Sequence, residues 1–162
     1  CMLIRPATLQ DQPGILEIYN ESVLHSTATF DTDPRTPEKQ LEWFNRHKAN
    51  HPVLVAEYDG KIAGWASLSP WSDRCAYDST VEVSVYLAPE QRGKGLGFQL
   101  LQQVTEAGRK AGNHTVISRI SSDNLASIRI HEKAGYSTVG TMKEVGFKFG
   151  RFLDVVMMQI VF

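Results

Sequence analysis

The segment that most restricts the fold is Arg92-Gly93-Lys94-Gly95-Leu96-Gly97, which follows the β-rich run TVEVSVYL at 80–87 and opens a helical pattern. Pro89 ends the run, and Leu96, Leu100, Leu101, Val104 and Ala107 then recur at helical spacing until Gly112. A strand that turns through glycines into a helix needs backbone freedom at the turn, and it leaves the first helical N–H groups without partners. Those amides, with the positive end of the helix dipole, form a cradle for an anion. Arg92 and Lys94 add charge at its rim. The spacing is not that of a nucleoside-triphosphate loop, because no Gly-Lys-Ser or Gly-Lys-Thr ends it. A dinucleotide fingerprint would open a strand–helix–strand unit, whereas here earlier strands precede the glycines.

The rest of the chain supplies those strands. Residues 2–5 read as a first strand, and Thr8 is placed to cap a helix with Ile15, Leu16, Ile18 and Tyr19 on its apolar side. Residues 26–35 are polar around the single large apolar residue Phe30 and read as a loop. Thr36-Pro37 opens a second helix through Leu41, Trp43 and Phe44. Strands at 52–58 and 61–68 flank the turn Asp59-Gly60. A loop at 69–78 carries Trp71, Arg74 and Tyr77 ahead of the 80–87 strand. After the central helix come a strand at 115–120, a short helix entered at Asp123-Asn124 and closed by Gly135, and two strands near 136–145 and 152–161. That order predicts an α/β (α+β) sandwich, one mixed sheet with helices on both faces, with residues 1–162 as a single domain.

Composition narrows the partners. A net charge of −1 argues against nucleic acid, whose phosphates call for an excess of Lys and Arg. No apolar run reaches the roughly 18 residues of a membrane span, and no secretory leader pattern opens the chain, so the expectation is a cytoplasmic protein with no membrane partner. Cys1 and Cys75 have neither a disulfide framework nor metal-site spacing, and Cys75 reads as a small apolar residue. His25, His47, His51 and His114 form no metal-ligand pair and read as surface or loop residues; no metal is implied.

Two motifs together carry a resemblance. Arg92-x-x-Gly95-x-Gly97 after a strand, and the later segment NLASIRIHEKAGY beginning at Asn124, resemble the GNAT superfamily of N-acetyltransferases. TVEVSVYL, SIRIHEKAGY and GFKFGRFLDVVMMQ narrow it: they look like the branch of phosphinothricin, methionine sulfone and methionine sulfoximine acetyltransferases. The resemblance spans nearly the whole chain and implies a mostly antiparallel central sheet with acetyl-CoA as co-substrate. It implies that backbone groups of Val85, Tyr86 and Leu87 pair with the pantetheine arm. Gly93, Lys94, Gly95, Leu96 and Gly97 would hold the pyrophosphate, and Asn124 and Ser127 would bond the arm or its neighbouring backbone. Homodimers are common in that branch, and a homodimer is expected.

Acetyl transfer to an amine needs a base for the ammonium, a donor that polarises the thioester carbonyl, and a proton for the departing thiolate. Glu82 stands among apolar and β-branched residues, where burial would raise its pKa, and it matches a Glu thought to be catalytic in the branch. His131 suits proton transfer near neutrality and is the candidate acid for the thiolate, as the branch also has His there. Tyr86 and Tyr136 read as structural. A backbone N–H near Val85 is the candidate carbonyl donor. An amino-acid acceptor brings a carboxylate, which Arg grips with two parallel bonds; Arg74 and Tyr77 match an Arg and a Tyr of the branch. Phe30 is expected to wall the acceptor side chain, and Lys148 to reach a polar head group such as a sulfone or phosphinate. Two other functions fit the motifs: acetylation of another amine (a polyamine, an aminoglycoside or a protein N-terminus), and a non-catalytic CoA-binding module.

Overall fold

The computed structural model describes all 162 residues. Seven strands form one sheet: β1 (Leu3–Pro6), β2 (Val53–Tyr58), β3 (Lys61–Pro70), β4 (Thr80–Leu87), β5 (Thr115–Ser121), β6 (Ser137–Lys148) and β7 (Arg151–Val161). Their spatial order is β1-β2-β3-β4-β5-β7-β6, and every neighbouring pair is antiparallel except β4–β5. Helices α1 (Gln12–His25), α2 (Pro37–Asn45), α3 (Leu96–Lys110) and α4 (Leu125–Lys133) join them. The mixed, mostly antiparallel sheet with helices on both faces is the one expected.

The central strands bury both faces, so alternate side chains go to different cores. Leu54 and Ala56 of β2, Leu68 of β3 and Val81 of β4 join Leu100, Leu101 and Val104 of α3 on one face. Val53, Val55 and Trp65 meet Ile15, Ile18, Tyr19 and Val23 of α1 on the other. Leu16 lies at the margin of that α1 stripe rather than inside it. Thr8 precedes a single 3-10 turn, Leu9–Asp11, and Asp11 is the residue before α1. In α2 the Thr36 hydroxyl accepts from the Lys39 amide at 3.2 Å as expected. Leu41 is exposed, however, and the residue α2 buries most deeply is Gln40, whose amide donates to Gln12 Oε1 at 2.8 Å.

One irregularity shapes the site. β4 and β5 pair only at Thr80↔Thr115, Val81↔Val116 and Glu82↔Ile117. Past Glu82, β4 continues along β3 to Leu87, while β5 continues along β7 to Ser121. The strands part, and residues 83–87 have a strand partner on one side only. Their N–H and C=O groups on the open side are free for a ligand.

The final hairpin differs from expectation. β6 runs on to Lys148, and the turn is Phe149-Gly150, both at positive φ (54° and 75°). A register shift between Met142 and Gly146 bends β6 and sets Gly146 against the Phe30 ring. A methyl group on Gly146 would lie 2.2 Å from Phe30 Cε2, so only glycine admits the ring there.

Candidate active site

A cleft of about 590 Å³ opens where β4 and β5 part. Glu82, Val85 and Tyr86 come from β4, Arg119 from β5, Asn124, Ser127 and His131 from the start and body of α4, Phe30 and Asp31 from the loop after α1, and Met142 and Val145 from β6. Of the expected site residues, the cleft therefore gathers Glu82, His131, Val85, Tyr86, Asn124, Ser127 and Phe30.

Glu82 is half-buried, not enclosed among apolar residues as expected, because alternation sends Val81 and Val83 to the α3 core and leaves Glu82 on the cleft side. Its carboxylate accepts two bonds from Arg119, from Nε at 2.7 Å and Nη2 at 2.7 Å. That pairing raises the Arg119 pKa above its ordinary value. Arg119 was not singled out in the sequence; its only trace there is a charged residue in the otherwise apolar and small run TVISRIS.

His131 is 4% exposed. Its Nδ1 lies 2.7 Å from the Ser127 carbonyl oxygen. A carbonyl only accepts, so Nδ1 carries the proton, and in the neutral ring Nε2 carries none. Nε2 is buried with no partner in the protein. Burial pushes the pKa of the imidazole below its usual value, the Ser127 carbonyl opposing in part. His131 is thus a bare proton acceptor in the resting site, and it becomes the expected acid only after it has taken up a proton. Tyr86 and Tyr136, read as structural, have phenols whose pKa burial raises; Tyr136 lies 2.7 Å from the Thr105 hydroxyl.

The glycine turn has the properties of an anion cradle. Gly93 and Gly95 take φ of +76° and +84° with open space where a Cβ would stand, and Gly95 immediately precedes α3. The amides of Leu96 and Gly97 open that helix without intrahelical partners. Gly97 itself packs toward Leu87 and Ile130. Arg92 bonds Glu21 of α1 at 2.9 Å, which ties the turn to the opposite layer and takes up part of its charge. Asn124 Oδ1 accepts from the Ser127 amide at 3.1 Å, capping α4 and leaving the Asn124 NH₂ group free.

The loop carrying Phe30 is anchored from beneath. Lys148 Nζ donates to the carbonyls of Ser26 at 2.7 Å and Thr29 at 2.8 Å, and Tyr19 bonds both Thr29 and Asp31. Lys148 is 5% exposed: the longer β6 draws it under the loop, not out to an acceptor head group as expected. Two of its three donors are taken there, and it is absent from the cleft wall. Arg74 and Tyr77 lie exposed at the short turn before β4 and form none of that wall. Cys75, read as apolar packing, is an exposed free thiol. His51 lies in a loop as read but is buried. No cluster of three or more His, Cys, Asp or Glu could hold a metal ion, and no helix is long and apolar enough to cross a membrane.

A cleft between diverging strands, open backbone along one strand and an anion cradle at its end leave room for a long molecule with an anionic head beside a carboxylate and a bare imidazole nitrogen. The chain belongs to the acetyltransferase (GNAT) family, whose model matches residues 15–136. It is 43% identical over 159 residues to an L-methionine sulfoximine/L-methionine sulfone acetyltransferase of Pseudomonas aeruginosa, covering 97% of this chain and 92% of that protein. It superposes with a TM-score of 0.96 on an acetyltransferase of Salmonella typhimurium solved with acetyl-CoA, at 39% identity over 99% of this chain and 94% of that one. A phosphinothricin acetyltransferase of Sinorhizobium meliloti in complex with acetyl-CoA gives a TM-score of 0.95 at 36% identity, covering 99% of this chain and 88% of that one.

Proposed function

We propose that residues 1–162 act as one enzyme domain that transfers the acetyl group of acetyl-CoA to the α-amino group of a small amino-acid analogue of the phosphinothricin, methionine sulfoximine or methionine sulfone type. The observation that carries this reading is the parting of β4 from β5 at Glu82, which puts a carboxylate, a bare imidazole nitrogen and unpaired strand backbone around one cleft. Relatives of this family at about this identity are named for those acceptors.

The residues fit the co-substrate. The open backbone of Val85, Tyr86 and Leu87 suits an extended amide-bearing arm, the Asn124 NH₂ and Ser127 hydroxyl lie on the facing wall, and residues 93–97 suit a pyrophosphate. Bound there, acetyl-CoA supplies an activated carbonyl and a thiol leaving group. An amide N–H of the open β4 edge, near Val85, polarises that carbonyl. Glu82 takes the first proton from the acceptor ammonium and frees its lone pair. His131 Nε2 takes the second as the amide forms, and the same proton leaves with the thiol. Phe30, Met142 and Val145 give an apolar wall to the acceptor side chain.

Release of free thiol, followed across a panel of amines, tests the reading. Turnover of methionine sulfone, methionine sulfoximine or phosphinothricin is expected; turnover of spermidine, an aminoglycoside or a peptide alone overturns it. The enzyme is proposed to work in the cytoplasm, consistent with two free exposed thiols, and as a homodimer. The edge strand β6 supports the latter, since Val139, Val145 and Phe147 are all more than half exposed on it. Light scattering reads the mass directly.

A further inference from the structure

Arg119 stands two residues past the last β4–β5 pair, at the point where the strands separate. It is the only Lys or Arg in the cleft wall, which otherwise carries the carboxylates of Asp31 and Glu82. Asp31 is engaged by the Tyr19 phenol, whereas Glu82 is held by Arg119 alone. A guanidinium has five N–H donors arranged in two forks. Glu82 occupies the Nε/Nη2 fork. The Nη1/Nη2 fork makes no hydrogen bond in the protein, and the half-exposed side chain lies with its guanidinium carbon 5.4 Å from the Trp71 ring centroid.

An α-amino acid bears its ammonium and its carboxylate on one carbon, so an anion and a cation in direct contact with one another can meet both groups at once. The Glu82–Arg119 pair is such a site. We infer that the free Nη1/Nη2 fork of Arg119 anchors the acceptor's carboxylate, so that its ammonium meets Glu82. The inference rests on the acetyl-transfer reading of the same cleft and adds to it a selection rule: the acceptor must carry a carboxylate next to the reacting amine. Arg74 matched by residue type, but it lies outside the wall and is not needed for that contact.

The test compares L-methionine sulfone with 3-(methylsulfonyl)propan-1-amine, the same molecule without its carboxylate. Wild-type enzyme is expected to favour the amino acid in kcat/KM by about 10- to 100-fold, the range of a bidentate charge-assisted contact. Arg119→Gln should collapse that preference to within about three-fold, chiefly by raising KM for the amino acid, while acetyl-CoA affinity and melting temperature stay near wild type. Arg119→Lys keeps the charge without the fork and should fall between. A merely structural role would lower both substrates together and leave their ratio unchanged, which overturns the inference. So does a ratio that collapses in Arg74→Gln and survives in Arg119→Gln. Equal wild-type activity on both compounds overturns the Arg119 assignment but leaves the transferase reading standing; activity on neither compound, nor on any other amine, overturns that reading itself.

Discussion

Gly146→Ala tests the proposed role of Phe30 as a wall of the acceptor pocket. The added methyl group would lie 2.2 Å from Phe30 Cε2 and 2.5 Å from Cδ2. Carbon atoms settle at about 3.5–4.0 Å, so the ring must withdraw by more than about 1 Å. The loop backbone cannot follow easily, because Lys148 and Tyr19 hold it at Ser26, Thr29 and Asp31. The ring turns away instead. It is already 38% exposed, so the stability loss should stay near the low end of overpacking, about 1 kcal/mol. The pocket loses an apolar wall; against a side chain that half-covers one ring face this is about 1 kcal/mol, or roughly five-fold in KM. Steady-state kinetics with methionine sulfone read the KM, and calorimetric titration with acetyl-CoA should show no change. Phe30→Ala should produce a comparable KM, and Gly146→Ala added to it should do nothing more, since the two substitutions remove one contact. Additive effects in that cycle, or a normal KM in Gly146→Ala, would refute the argument.

Three further outcomes follow from the same geometry. Gly95→Val forces a β-branched residue to φ of +84° at the head of α3, a conformation that costs about 1–2 kcal/mol or more, and acetyl-CoA affinity measured by equilibrium dialysis should fall about ten-fold. Glu82→Gln should lower kcat about 10²- to 10³-fold with acetyl-CoA affinity unchanged; an unchanged rate removes Glu82 from the chemistry. Burial lowers the pKa of His47, His51 and His131 below 6.5. The unfolded chain therefore binds more protons than the folded one as pH drops through 6.5, and stability should decline from pH 7.5 toward 5.5. The paired carboxylates Asp11, Asp123 and Asp154, held below 3.8, lose their contribution only at lower pH. Urea unfolding across that range checks the sign, and a flat profile contradicts it.

The order of strands and helices was legible because alternation and helical spacing are local. So was the glycine turn, because positive φ at Gly93 and Gly95 is a property of the residue type. The parting of β4 from β5 was not, since it depends on where two strands 30-odd residues apart stop pairing. Its consequences were hidden with it. Glu82 was expected in an apolar setting, but its face of β4 is the cleft, where a guanidinium 37 residues further along the chain meets it. Lys148 is expected from the sequence to reach an acceptor head group; only the added length of β6 puts it under the Phe30 loop, on the Ser26 and Thr29 carbonyls. His131 was identified by type, yet its protonation pattern depends on the Ser127 carbonyl one helical turn back.

Acetyl transfer by this enzyme forms a bond between an acetyl carbon delivered by coenzyme A and the nitrogen of an amino acid. Incubation of the wild-type enzyme with [1-¹³C]acetyl-CoA and ¹⁵N-labelled L-methionine sulfone reports that bond by NMR. An amide nitrogen split by one-bond coupling to the labelled carbonyl is expected, growing in step with free thiol and absent without enzyme. Labelled acetate accumulating with the amine nitrogen unsplit would contradict it.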